Sequence, residues 1–279
     1  MGRRVPLSIV GVWVFLAFVI WYFVLPLLWL VVKAFTPAPA SYSIAFFLPS
    51  HPSTENFVKL AKPVSGVVPY HWIVNSIIIS LSTAGLATLC SIGAAFVLTR
   101  FAFRGQGALL TSFVIFRLLP ALLIALPLLI LFRMWGLLNN YPALILVLTA
   151  LVLPFTMMIA ESYFRAIPIT YEEAAMIDGC TKIGAFLRVT LPLAAPGLAT
   201  IFLLAFVIAW SQFVIPLFII RVPSLYPASV GIYFFYGLHG LVDYGRIAAF
   251  SLIYSIPVIV VYFAIQKYFR RGIAGLVAR

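Results

Sequence analysis

The sequence predicts an all-α, polytopic membrane protein. Of 279 residues, 65% are hydrophobic and only 9% are charged, where a soluble domain carries about 25%. Mean hydropathy is +1.17. The apolar residues form long continuous runs and do not alternate, which excludes a membrane β-barrel. The formal net charge of +12 does not point to nucleic acid, because the cations are scattered between apolar runs and form no stripe.

A helix that crosses a bilayer needs about 20 apolar residues. Six segments supply them: 6–32, 72–99, 108–132, 142–160, 193–220 and 247–266. Arg3 and Arg4 precede the first run as they would in a signal peptide. The run is too long for that, no small-residue cleavage site follows it, and further runs come later, so it reads as a retained first span. Pro26, Pro120, Pro127, Pro154, Pro216 and Pro257 fall inside these runs. Membrane helices tolerate proline when neighbours satisfy the freed carbonyls. Residues 1–279 read as a single membrane domain.

Lysine and arginine set the expected orientation. With the N-terminus inside, the inner segments hold eleven cations (Arg3, Arg4, Arg100, Arg104, Arg165, Lys182, Arg188, Lys267, Arg270, Arg271, Arg279) and the outer ones six (Lys33, Lys59, Lys62, Arg133, Arg221, Arg246). The positive-inside rule then places both termini in the cytoplasm. Trp29, Trp72 and Trp135 would lie near the outer interface, where aromatic belts form. The two cysteines, Cys90 and Cys180, are expected at different depths, unpaired. His51, His71 and His239 have no metal-ligand spacing.

The loop over 161–192 is unusual. Four of the six acidic residues lie between Glu161 and Asp178. Thr170-Tyr171-Glu172-Glu173 fits a capping box, with Thr170 as cap and Glu173 reaching back. The acids complement the positive end of the helix. Ala174 and Ala175 are small enough to let another backbone approach. Gly179 suits a left-handed helix end, and a second short helix is expected at about 181–190. A capped amphipathic loop helix of no special function explains these features equally well.

The order of the whole motif narrows the reading. Glu173-Ala174-Ala175, then Gly179, Val189 and Leu191-Pro192 resembles the EAA loop of permease subunits in binding-protein-dependent ABC importers. Asn75-Ser76, Arg117-Leu118-Leu119-Pro120, Pro127-Leu128, Gly136-Leu137-Leu138, Leu153-Pro154-Phe155 and Ile167-Pro168 are similar to the carbohydrate branch. The tail FRRGIAGLVAR is similar to that of the smaller maltose-type permease subunit. Val189 stands where the family usually has Ile. The resemblance implies that Glu172, Glu173, Ala174, Ala175, Asp178 and Gly179 belong to a coupling helix that docks on an ATPase subunit. It also implies a second permease subunit, two ATPase subunits holding ATP and magnesium, and an extracytoplasmic binding protein. The chain itself would bind no cofactor. It has no Gly-x-x-x-x-Gly-Lys-Ser/Thr loop for nucleotide and is not expected to be an enzyme.

Five residues are candidates for the substrate pathway. Arg117 lies inside the third span, where a charge costs at least ~2.5 kcal/mol; it serves either function or packing. Trp210, Ser211 and Gln212 sit midway along the fifth span. Where many such sugar permeases have Trp-Asn-Glu-Phe, this chain has Trp210-Ser211-Gln212-Phe213, so any role of that acid does not carry over. On a continuous helix Trp210 and Gln212 point about 200° apart. Either the helix is irregular there or only one of them meets substrate, and Gln212 is the better candidate. Asn75 is the fifth, with helix packing the competing role. The aromatic outer loop, Tyr233 to Tyr244, is read as an interfacial belt before a partner contact. The expected solute is a sugar, a di- or oligosaccharide. The alternatives are another small polar solute or a stand-alone secondary transporter, and the latter is disfavoured by the scarcity of ionisable residues in the spans.

Overall fold

The computed structural model describes residues 7–38, 51–236 and 242–277, with side chains for 11–38, 51–116, 118–236 and 242–266. Among the described residues every regular element is helical, and strand-like pairing is confined to two isolated bridges, Val64 with Val67 and Tyr236 with Val242. In chain order the first helices are α1 (Leu7–Ala34), α2 (Glu55–Lys59), α3 (Tyr70–Arg100), α4 (Gln106–Arg117), α5 (Ala121–Met134) and α6 (Tyr141–Arg165). Then come α7 (Thr170–Ile177), α8 (Lys182–Ala185), a π-helical turn (Phe186–Thr190), α9 (Leu191–Leu193) and α10 (Ala195–Trp210). The last are α11 (Val214–Ile219), α12 (Ala228–Gly231) and α13 (Tyr244–Val277).

Four helices, α1, α3, α6 and α13, are long and apolar enough to cross a bilayer, and the number rises to six if each of two bent pairs crosses as one broken span. The expected third and fifth spans are therefore not single helices. The stretch 108–132 is split into α4 and α5, which meet at 94°. Pro120 caps α5 in an extended conformation, and a residue before proline is steered away from the helical region. The stretch 193–220 is split into α10 and α11, with 211–213 outside both. Upstream, Lys182–Leu193 and Ala195–Trp210 meet at 73°. Pro192 and Pro196 lie four residues apart there, so two successive turns lose an amide donor. By contrast, Pro26, Pro127, Pro154 and Pro257 lie within continuous helices.

The described residues fall into two compact units, Met1–Tyr70 with Ile232–Ile256 and His71–Gly231 with Pro257–Arg279. In the first, α1 exposes apolar side chains nearly all round from 11 to 28, as a helix in lipid does. Its last carbonyls are satisfied from a distance. The Asn56 amide donates to Ala34 O at 3.0 Å and Thr36 O at 2.8 Å. Trp29 meets Tyr244 edge-on at 6.4 Å.

The second unit has two apolar cores. One gathers Ile79 of α3, Phe132 of α5, Leu144 and Leu148 of α6, and Ile215 and Ile219 of α11. The other gathers Ala95 of α3, Ala160 and Phe164 of α6, Phe186 of the π turn and Ile201 of α10. Small residues let these helices approach closely, as in other membrane bundles, and a buried Ser91–Thr156 hydrogen bond of 2.7 Å ties α3 to α6. Trp72 is not an interfacial belt residue. It is fully buried, donates to Pro223 O at 2.9 Å, and its ring would lie 2.3 Å from a Cβ at Gly231. Trp135 is exposed.

The approach of α6 to α10 depends on Gly197, where an added Cβ would meet the Tyr163 ring at 2.4 Å, near the ring's root. Gly197→Ala is expected to cost about 1–3 kcal/mol through overpacking, read as a lower melting temperature in detergent. In a Tyr163→Ala background the same change should cost little. An unchanged melting temperature for the single variant would refute this contact.

Candidate functional site

The 161–192 loop is fixed at the end of α3. Arg100, the last residue of α3, puts its guanidinium among three elements. Its Nε donates to Glu172 Oε1 at 2.8 Å. Its Nη2 donates to Phe164 O and Ile167 O, each at 3.3 Å. The Thr190 hydroxyl, at the end of the π turn, donates to the same Glu172 oxygen. The Lys182 ammonium donates to Arg100 O at 3.3 Å and lies 4.0 Å from the centre of the Phe101 ring. The Arg100 and Glu172 side chains are only 4% and 1% exposed. Charges buried so deeply are stable only together, and removing one partner of such a pair costs about 3–5 kcal/mol.

The other side of α7 is bare. Glu173, Ala174 and Asp178 are exposed, and Ala175 is half-buried. Ile177 is 87% exposed, with Tyr171, Met176, Ile183 and Leu187 also open. The predicted acids thus part company: Glu172 faces the protein, whereas Glu173 and Asp178 face out.

The expected capping box is absent. Ile169 is the cap of α7, and no side chain bonds its free amides. The turn before it does that work, because Tyr171 N donates to Pro168 O at 3.4 Å while Glu172 N and Glu173 N donate to Ile169 O at 2.9 and 3.0 Å. The helix end matches expectation: Gly179 has φ +91°. Cys180 N donates to Ala175 O at 3.0 Å and Gly179 N to Met176 O at 3.1 Å, which is a Schellman motif. The second short helix is composite. Thr181 caps α8 by accepting from Gly184 N at 3.1 Å. The chain then widens into the π turn, where Leu191 N reaches back to Phe186 O. Pro192 accounts for the widening, because its ring excludes the carbonyl four residues earlier. Both cysteines are free thiols.

The two helix breaks face one cavity of about 290 Å³. Phe116, Leu119 and Ile124 from the α4–α5 bend line it, with Phe155 of α6 and Ile208 and Gln212 from the α10–α11 break. Among the described residues, Gln212 is the one polar side chain in its lining. The break has a backbone cause. Pro216 cannot donate to the Gln212 carbonyl four residues earlier, and Ser229 Oγ donates to that carbonyl instead, at 2.6 Å. The sequence alternatives for Trp210 and Gln212 are thereby separated, since the helix does stop here. Trp210 is 3% exposed and stacked on Phe206 at 5.5 Å, away from the cavity lining. Ser211 is exposed and donates to Ile208 O at 3.2 Å.

Asn75 does not line this cavity. Its amide donates to Ser224 O at 2.8 Å and Tyr226 O at 2.9 Å, fixing the segment after α11. That favours the packing role. The Arg117 side chain and residues 237–241 of the aromatic loop lie outside the described residues. Among the described residues no His, Cys, Asp and Glu cluster is arranged to hold a metal ion.

Sequence reasoning did not find Arg100, Lys182 or Thr190 as partners of the loop. Arg100 read only as an inner-side cation, and nothing in the sequence links it to an acid 72 residues away. Ile177 carried a usable signal: with Met176 it forms a large apolar pair directly before Asp178-Gly179, in an otherwise polar and small-residue stretch.

With this geometry in view, the relatives are consistent. The profile of the family described as "Binding-protein-dependent transport system inner membrane component" matches residues 87–275. The probable ABC transporter permease protein YurM of Bacillus subtilis is 35% identical over 95% of this chain and 87% of its own length. The galactooligosaccharides transport system permease protein of the same organism is 30% identical over 93% of this chain and 92% of its own. The trehalose transport system permease protein of Mycobacterium tuberculosis is 31% identical over 92% of each chain. A bacterial ABC transporter involved in import of the acidic polysaccharide alginate has a chain of the same fold, with TM-score 0.80, 20% identity, and coverage of 96% of this chain and 99% of that one. The chain belongs to the inner membrane components of binding-protein-dependent transport systems, and is a multi-pass permease of the ABC importer type.

The left-handed turn at Gly179 supplies a direct check. A Cβ there meets nothing within 4 Å, so substitution is penalised by backbone conformation alone. Gly179→Ala is expected to cost about 1–2 kcal/mol, seen as faster amide exchange in α7. Gly107→Ala, also in open space but at an ordinary φ, should not slow or speed α7 exchange. Equal exchange in α7 for Gly179→Ala and the parent would contradict the assignment.

Proposed function

We propose that this chain forms one half of the translocation pathway for a di- or oligosaccharide, and that α7 couples it to a separate ATPase. The observation that carries the reading is the two-sided loop, locked to α3 on one face and open on the other. An eight-residue helix is too short to be stable alone, so its rigid anchoring needs a purpose. The exposed Glu173, Ala174, Asp178 and Ile177 suit a soluble partner's groove. A second permease subunit would complete the pathway, two ATPase subunits would hold ATP and magnesium, and an extracytoplasmic binding protein would deliver the solute. Family membership sets aside the stand-alone secondary transporter.

The sugar assignment draws on the relatives that carry galactooligosaccharides, trehalose and diacetylchitobiose. The cavity fits it chemically. Aromatic faces such as Phe116 and Phe155 accept a sugar's C–H surface, and the Gln212 amide can bond a hydroxyl. At about 290 Å³ the cavity sits at the small end of ligand pockets, which suits one wall of a path shared by two subunits. Broken helices around a cavity are also where irregular backbone is tolerated at membrane depth. Alternating access would shift the inward and outward populations as α7 moves with the ATPase.

In this arrangement the bent pairs, α4 with α5 and Lys182–Leu193 with α10, each count as one span, giving six spans with both termini cytoplasmic. Cysteines at Ser53 should label from outside, and at Thr181 only after permeabilisation; the reverse pattern would sink the topology. For the pathway, Gln212→Ala should lower uptake of radiolabelled trehalose or galactooligosaccharide about tenfold, the loss of one hydrogen bond of ~1.4 kcal/mol, with ATPase co-purification intact. Unchanged uptake and apparent affinity for every saccharide transported by the parent would return Gln212 to packing.

A further inference from the structure

We propose that Arg100, Glu172 and Thr190 form an internal joint that carries movement of α7 into the spanning helices, and that Glu172 does not itself touch the ATPase. The inference rests on the reading of α7 as the docking helix. Glu172 is 1% exposed in its side chain, so a partner cannot reach it without first unseating α7. Its carboxylate oxygen instead receives both Arg100 Nε at 2.8 Å and the Thr190 hydroxyl. Arg100 is the last residue of α3, and Thr190 closes the π turn that leads through α9 into α10. Arg100 also holds the end of α6 through Phe164 O and Ile167 O, at 3.3 Å each. Lys182 closes the ring by donating to Arg100 O at 3.3 Å from the start of α8.

One guanidinium and one carboxylate therefore gather the ends of α3, α6 and the path into α10 around α7. A short helix on a loose loop would absorb a push from a partner. A helix pinned by a buried ion pair must carry the push to whatever holds its pins. The cavity lies along two of these routes: Phe155 is midway along α6 and Gln212 just beyond the far end of α10. The residues of the joint are thus positioning residues, distinct from the outward-facing Glu173 and Ile177.

The test uses the assembled transporter, with a reporter cysteine at the exposed Ser211 and both Cys90 and Cys180 changed to Ser. The rate of labelling by a small thiol reagent is read with and without ATP plus vanadate. In the parent, nucleotide should change the rate about tenfold, a coupling of ordinary size. In Glu172→Gln the nucleotide response should be lost while the ATPase still co-purifies. Thr190→Val keeps the ion pair and should lose part of the response, and it decides the matter if Glu172→Gln fails to insert. A full nucleotide response in Thr190→Val and Glu172→Gln would overturn the joint, as would loss of ATPase binding in Glu172→Gln. Failure of the underlying reading looks different: the parent itself would neither co-purify with an ATPase nor respond to nucleotide.

Discussion

Every amide and carbonyl of this chain that enters lipid must find its partner within the protein, because hydrocarbon offers none. The long apolar helices satisfy that demand by themselves, and the interest lies where they stop. At several of these ends a side chain takes over from the missing turn. Asn56 holds the carbonyls at the end of α1. Asn139, with φ +58°, accepts from Arg221 N at 2.6 Å and Val222 N at 3.1 Å, joining the α5–α6 turn to the end of α11. Asn140 caps α6 by accepting from Ala143 N at 3.0 Å. Ser229 takes the carbonyl that Pro216 leaves open at Gln212. Two of the breaks, α4–α5 and α10–α11, border the same cavity.

The same accounting applies to charge. With six acids in 279 residues, an acid placed inside the protein has to be matched. Glu172 is matched by Arg100, and the pair does what an apolar contact cannot, fixing α7 in direction as well as position. Replacing such a pair by well-packed apolar residues is often neutral for stability. Such a pair is better suited to orienting α7 than to adding folding energy. The exposed side of the loop has the opposite character, apolar and acidic side chains that no element among the described residues covers.

Much of the architecture was legible in the sequence. Apolar runs located α1, α3, α6 and α13 to within a few residues at most ends, the chief exceptions being the later ends of α6 and α13. Gly179 was recognisable because Schellman turns demand a residue free to take positive φ. The breaks were less legible, since a proline in an apolar run has two outcomes. Pro154 and Pro257 sit inside helices, whereas Pro120 and Pro216 mark breaks, and the partner that takes a freed carbonyl, such as Ser229 for Gln212, is brought there only by the fold. The Thr170 cap failed for a similar reason: carbonyls of Pro168 and Ile169 had already taken the first amides. The Arg100–Glu172 pair could not be read at all, because it joins residues 72 apart that only the packed fold brings together. For Gln212, helix geometry showed that a continuous helix could not aim it and Trp210 at one spot, while the break after Trp210 was not legible.

The account turns on which face of α7 meets a partner. A photo-crosslinking residue at position 177 in native membranes measures this directly, with Val97, an exposed residue of α3, as the lipid-facing control. The account predicts an adduct from 177 to a soluble P-loop ATPase, and none from 97. Adducts to lipid alone from position 177, with the transporter assembled and active, would contradict it.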